Sequence, residues 1–395
     1  MVSRVLTILG AGLVLARTGT ALAQTSGAAP PAAPPSVQLP VPVMEGPLAF
    51  SPVPPAVTAG ALGTWYVDGV ASGLALLQEN ADRGDRDALA DFGNAQIFVQ
   101  KIDGVVRAYV QLGAYALPAL GEPYAHAQNA ATAADKLFGP IPQAFIKIAP
   151  SDSFSIQAGK LPTLLGDEYT FTFENIDIAR GLLWNQEPAV SRGVQGNLVL
   201  GAAAFSLSLN DGFYAGRYSW LSGSASWTIN PADVLVLAAG ANLRATARND
   251  LATPRNQNNS RIINLIYTHT QGPLMVSPYV QYSQVPRLAA IGIDQAASLG
   301  GAAVLASYAL TPALTLGARG EYEASLGAGR TDLLYGPGSH AASLTLSPTY
   351  TMRHWFLRGD LALVGLGHAA PREGFGPAGQ ERSQLRMLIE AGYLF

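Results

Sequence analysis

The chain is predicted to be all-β, a transmembrane antiparallel β-barrel of about 16 strands, within a range of about 14 to 18, carrying one long external loop that folds inward. Three observations predict it: an apolar composition without a spanning helix, a repeated two-residue alternation, and a last strand with one unbroken apolar face. Hydrophobic residues make up 49% of the 395, and mean hydropathy is +0.20. Beyond the first residues, no apolar run approaches the roughly 20 residues that a spanning helix needs. In a bilayer core every backbone N–H and C=O has to be paired within the protein, so only helices and closed barrels span it. With helices excluded, the barrel remains.

The N-terminus carries Arg4, an apolar run from Val5 to Ala16, and the small-residue site Ala21-Leu22-Ala23. This is the pattern of a cleaved signal peptide over 1–23, with a mature chain starting at Gln24. Residues 24–60 are read as a Pro-rich periplasmic linker, with prolines at 30, 31, 34, 35, 40, 42, 47, 52, 54 and 55. Such composition gives a semi-rigid spacer rather than a core. The barrel is assigned to 61–395.

Within the barrel region, short runs alternate in polarity, as a strand does with lipid on one side and a wet lumen on the other. Val106, Ala108, Val110, Leu112 and Ala114 take one parity, and Arg107, Tyr109, Gln111 and Tyr115 the other. Leu314, Leu316, Ala318 and Tyr322 likewise alternate with Thr315, Arg319, Glu321 and Glu323. A soluble sandwich would alternate too, so connection lengths decide. Tight turns at Asp103-Gly104, 150–153, 230–233, 271–273 and 311–313 alternate with long connections around 78–90, 116–140, 161–189, 247–258, 286–297, 326–339 and 367–381. Short turns at one end and long loops at the other mark an outer-membrane barrel.

The final strand places Leu385, Met387, Ile389, Ala391, Tyr393 and Phe395 on one face, and Gln384, Arg386 and Glu390 on the other. Its ending, Tyr393 and Phe395, resembles the C-terminal signal that the outer-membrane assembly machinery recognises. Both aromatics would also stand where a girdle meets the interface.

Other classes are excluded in turn. A net charge of -3 and a pI near 6.0 leave no basic surplus for nucleic acid. There is no cysteine, so neither disulfides nor thiolate metal sites are available. Histidines 126, 269, 340, 354 and 368 are isolated, and no metal site or cofactor is expected. No GxSxG elbow or phosphate-binding loop is present in the mature chain, so no catalytic residue is assigned. A surface His–Ser couple, as in an outer-membrane phospholipase, is the one hydrolase arrangement that spacing alone does not address.

Most of the chemistry lies in the connection from Lys160 to Pro188. Gly159-Lys160, Thr163, Gly166 and Glu168, then Asn175 and Arg180-Gly181, resemble the pattern of the OmpL-like family of β-barrel porins, with Ala179 where members often carry Ser. The resemblance implies an outer-membrane channel of a Gram-negative bacterium. Long loops without a core of their own are functional or disordered, and this one is expected to enter the lumen. Acidic Asp167, Glu168, Glu174 and Asp177 would then face basic Lys160, Arg180 and Arg192 across a constriction, the arrangement by which charged pores select ions. Arg107, Lys147, Arg244, Arg319, Glu321, Glu323, Arg358, Asp360, Arg386 and Glu390 are expected to face the lumen, since Arg or Lys on the lipid face costs about 2–4 kcal/mol at the midplane.

The expected partners are outer-membrane lipid, the barrel assembly machinery, small hydrophilic solutes and further copies of the chain. Passive diffusion is the first function class. The second is a structural or adhesive barrel whose lumen the long loop plugs.

Overall fold

A computed structural model describes residues 36–127, 137–326 and 333–395. The segment assigned as a signal peptide and the first part of the Pro-rich stretch lie outside them. After the short strand β1 (Ala56–Thr58), the chain forms β2 (Thr64–Gln78), β3 (Ala88–Lys101), β4 (Val106–Tyr115), β5 (Ala144–Ile148), β6 (Phe154–Pro162) and β7 (Val190–Leu200). It continues through β8 (Ala203–Asn210), β9 (Trp220–Asn230), β10 (Asp233–Asn242), β11 (Arg261–Gln271) and β12 (Leu274–Val285). The last five are β13 (Ala297–Thr311), β14 (Leu314–Ser325), β15 (His340–Met352), β16 (Trp355–His368) and β17 (Ser383–Leu394).

Each strand from β2 onward pairs antiparallel with its successor, and β17 pairs back onto β2 from Arg386↔Gln78 to Leu394↔Val70. The result is a closed barrel of 16 strands, with β1 as one extra strand on β2. Closure leaves no unpaired edge, which a membrane requires. At the seam, the N–H and C=O of Phe395 and Gly69 exchange hydrogen bonds of 3.0 and 3.2 Å. A Cβ on Gly69 would stand 2.1 Å from the Phe395 ring, so the terminal aromatic occupies the place of a missing side chain.

The connections alternate as expected. Two more tight turns, 201–202 and 353–354, and one more long connection, 211–219, complete the pattern. Gly201 has φ 60°, and Arg353 adopts φ 57° at its turn.

Parity separates two environments. Outward positions leave Ile97, Ile156, Val194, Leu207, Ile263, Val280, Leu346, Leu361 and Ile389 exposed. On a water-soluble protein a continuous surface of this kind would be an aggregation liability; against acyl chains it is the matched surface. Exposed Phe154, Phe205, Trp227, Tyr350 and Trp355 ring the short-turn end, and Phe92, Tyr282 and Tyr322 lie toward the other. Trp355 and Tyr393 meet at 5.0 Å, and Tyr393 and Phe395 at 6.4 Å. Inward positions are polar: Asn94, Gln96, Gln111, Asn264, Gln281, Arg319, Arg358 and Glu390 are buried inside the barrel.

Candidate functional site

The strand β6 runs through Pro162, so the long connection is 163–189 and begins two residues later than expected. Proline at a strand's last position lacks only an N–H that no longer has to pair. The loop enters the lumen because it carries a core of its own making. Leu165, Phe171, Phe173, Ile176, Ile178, Leu182 and Leu183 are all buried. Phe171 meets Tyr115 edge-on at 5.1 Å, and Phe173 lies 5.5 Å from Phe98; both partners point inward from the wall.

A loop inside a barrel must find partners for its backbone, and the wall supplies them. Arg358 donates to the carbonyls of Thr172, Asn175 and Ile176 at 2.7, 2.7 and 2.8 Å. Asp360 accepts from the N–H groups of Ile178 and Ala179, both at 2.9 Å. Glu321 accepts from Leu182 and Leu183 at 3.0 and 3.3 Å. The Gln281 amide donates to the Leu183 carbonyl at 2.9 Å.

The charges form a network rather than two facing rows. Arg319 Nη1 lies 2.6 Å from Glu168 and 3.3 Å from Asp177, and its Nε lies 3.3 Å from Glu321. Glu168 also accepts the Gly181 N–H at 2.8 Å, and Ser347 donates to Asp177 at 2.6 Å. Glu174 accepts the Phe171 N–H at 3.0 Å. Thr172 donates to Glu390 at 2.9 Å, and Arg358 lies 3.6 Å from the same carboxylate. Burial raises the Glu174 carboxyl to about 8, against the pull of the Phe171 N–H and the Arg180 charge. Burial also raises Glu168, with Arg319 opposing it.

Arg180 is fully buried, its guanidinium makes no hydrogen bond among the described residues, and it stands over the Trp184 ring at 5.1 Å. Its backbone, in contrast, ties the loop to the neighbouring connection, with N–H to Pro118 at 3.0 Å and C=O from Leu120 at 2.9 Å.

The residues singled out in this stretch are the ones that shape it. Thr163 caps the Leu165 N–H at 3.0 Å. Gly166 has φ 83° and abuts Glu187, and a Cβ on Gly181 would stand 2.1 Å from Glu321. Asn175 holds both the N–H and the C=O of Tyr169, at 2.7 and 2.9 Å.

Asp167, Glu168, Glu174, Asp177 and Arg180 are thus placed on the inward loop, and Arg107, Lys147, Arg319, Glu321, Glu323, Arg358, Asp360, Arg386 and Glu390 on inward strand positions. Three residues stand elsewhere. Lys160 and Arg192 are cross-strand partners on the outward parity, beside exposed Val194. They sit under connection 211–219, where Arg192 pairs with Asp211 at 2.7 Å and Tyr214 receives both cations on its ring at 5.4 and 3.9 Å. A basic residue can face outward here because a carboxylate and an aromatic cover it at the rim. Arg244 follows the end of β10 and is exposed in connection 243–260.

Sequence reasoning passed over several lumenal groups. Asp68 faces inward from β2 beside Gln100, and Glu187 lies near the end of the loop, its side-chain oxygens without a hydrogen-bond partner among the described residues. Asp68 was legible from its parity, whereas Glu187 has no periodic neighbour to mark it.

Between the loop and the inner face of β9, β10 and β11 a cavity of about 360 Å³ remains. Glu45, Asp167, Glu168, Ser224, Val236 and Thr268 are among its lining residues.

The closed barrel and its lumenal loop define the class: a transmembrane β-barrel with a loop folded into its lumen. Residues 66–395 match the family described as "Putative beta-barrel porin-2, OmpL-like", and the chain belongs to that family. No curated protein matches it. Among solved structures it resembles an anion-selective porin from Comamonas acidovorans, with 11% identity over 84% of this chain and 99% of that one, at a TM-score of 0.55. The outer membrane channel DcaP of Acinetobacter baumannii matches at 11% identity over 84% and 97%, with a TM-score of 0.55. The trimer form of OmpT, an outer membrane protein of Vibrio cholerae, matches at 9% identity over 84% and 99%, also at 0.55. At these identities the likeness is one of fold.

Proposed function

We propose that the protein is a porin of the Gram-negative outer membrane, exported by a cleaved N-terminal signal, through which small hydrophilic solutes or ions diffuse without a chemical step. The observation that carries this reading is the charged loop 163–189 held inside the barrel, with an acidic cavity left between it and the wall. Family membership and the outer-membrane neighbours support the same compartment. Lumenal polar atoms without a partner among the described residues, among them those of Glu187, Glu323 and Arg180, suit a wall that water lines. The outward apolar belt would face lipid, and Tyr393 and Phe395 would serve the assembly machinery. The trimeric neighbour supports self-association as an expectation.

Purified protein inserted into a planar bilayer should conduct in discrete steps, and Asp167→Asn should shift the reversal potential in a salt gradient. Silence of the folded protein at every voltage tested would rule the reading out.

One observation favours the plugged barrel instead: every residue from 170 to 183 is buried. On that reading intact protein is silent, and deleting 166–186 creates conductance.

A further inference from the structure

The cavity beside the loop has a wall that belongs neither to a strand nor to the loop. Within the described part of the Pro-rich stretch, Val41 to Phe50 reach into the barrel at its short-turn end, while Ser36, Gln38, Pro52, Val53 and Pro55 are exposed. The Phe50 ring meets Phe98 at 5.5 Å and Phe173 at 6.0 Å, and Leu48 is 2% exposed within the same cluster as Val70, Phe98, Tyr109 and Phe356. Phe98 and Tyr109 are inward positions of β3 and β4, so these contacts lie in the lumen.

The backbone is pinned as well. The N–H groups of Glu45 and Gly46 both donate to the Glu174 carbonyl, at 2.9 and 3.0 Å, and Val37 donates to Pro52 at 2.8 Å. Gln100 donates to the Val41 carbonyl. A Cβ on Gly46 would stand 2.1 Å from the Asn175 oxygen, so this close approach depends on glycine. Buried Pro42 and Pro54 suit the place, since each lacks an N–H that would otherwise need a partner.

The consequence is that Glu45 is carried to the cavity, where it joins Asp167 and Glu168. Asp167 Oδ2 is buried there with no hydrogen-bond partner among the described residues. Burial and the charges of Asp167 and Glu168 push the Glu45 carboxyl well up from its ordinary value. Among the described residues, only Glu168 of the three has an arginine in contact, Arg319. Carboxylates crowded in this way are relieved by a cation, and rings of Asp and Glu are how pores favour cations.

We infer that residues 36–55 are a resident part of the pore, and that Glu45 with Asp167 forms a lip selecting small cations at the short-turn end. The inference rests on the porin reading, and its test separates the two. Glu45→Gln keeps the shape of the side chain, and its folding is checked by the heat-dependent gel shift of an intact barrel. In a potassium chloride gradient across a bilayer at alkaline pH, where Glu45 is ionised, wild type should prefer K⁺, and Glu45→Gln should lower the K⁺/Cl⁻ permeability ratio severalfold. Because the chain has no cysteine, Glu45→Cys gives a single thiol. A cationic thiol reagent should modify it faster than an anionic one and reduce the current. Gly46→Val, which separates the segment from Asn175, should raise the conductance. A wild type that conducts with Glu45→Gln leaving the ratio unchanged, or with Glu45→Cys blind to both reagents, overturns the inference alone. A wild type that never conducts overturns the porin reading and this inference with it.

Discussion

Arg319 and Glu168 meet at 2.6 Å with neither side chain more than 1% exposed, and this pair joins the barrel wall to the loop inside it. Asp177 and Glu321 flank the same guanidinium at 3.3 Å. A buried pair offsets its desolvation only when both partners are present, and removing one costs about 3–5 kcal/mol. Arg319→Met should therefore release the loop without opening the barrel. Single-channel recordings should show larger and noisier currents, while the folded band on an unheated gel persists.

A second prediction concerns closure. Gly69→Val places carbon where the Phe395 ring lies, whereas Gly73 on the same strand has no atom within 4 Å of an added Cβ. The fraction of folded barrel should fall sharply for Gly69→Val and stay at the wild-type level for Gly73→Val. Equal yields would show that the terminal ring does not depend on that space.

How far the sequence foretold this architecture follows from what determines each part. The strands were legible because lipid and water impose opposite demands on alternate residues, as Val106 to Tyr115 shows along β4. The long loop was legible as a charged, turn-rich stretch. Its partners were not, because Arg319–Glu168 and Arg358–Thr172 join residues far apart in the chain. Lys160 and Arg192 were misplaced for a local reason: β6 continues through Pro162, which puts Lys160 on an outward strand position under Tyr214. Composition alone also could not show that Phe50 and Leu48 find an apolar patch on the inner wall.

The loop should respond to pH. The Glu174 carboxyl sits at about 8 when folded, above its ordinary 4.5, because burial disfavours the charge. A raised value means that the proton favours the docked state. That contribution is complete below about 4.5 and is lost as pH rises through about 8. Current noise from the loop should accordingly grow between about pH 4.5 and 8, with the Arg180 charge opposing the shift. Glu174→Gln should remove most of that dependence. Noise that falls over the same window would reverse the assigned sign.

The lipid-facing belt makes a separate demand. Leu361 lies outward near the middle of β16 and is 48% exposed. Leu361→Arg should cost about 2–4 kcal/mol of folding free energy in a bilayer, measured by denaturant titration in vesicles. Leu361→Val should cost far less.

Reversal potential in a planar bilayer tests the central claim most directly. Wild type should conduct in discrete steps, and Asp167→Asn should move its zero-current voltage toward lower cation preference. A folded wild-type barrel that stays silent, and conducts only after 166–186 are deleted, would contradict the account and make the protein a plugged barrel.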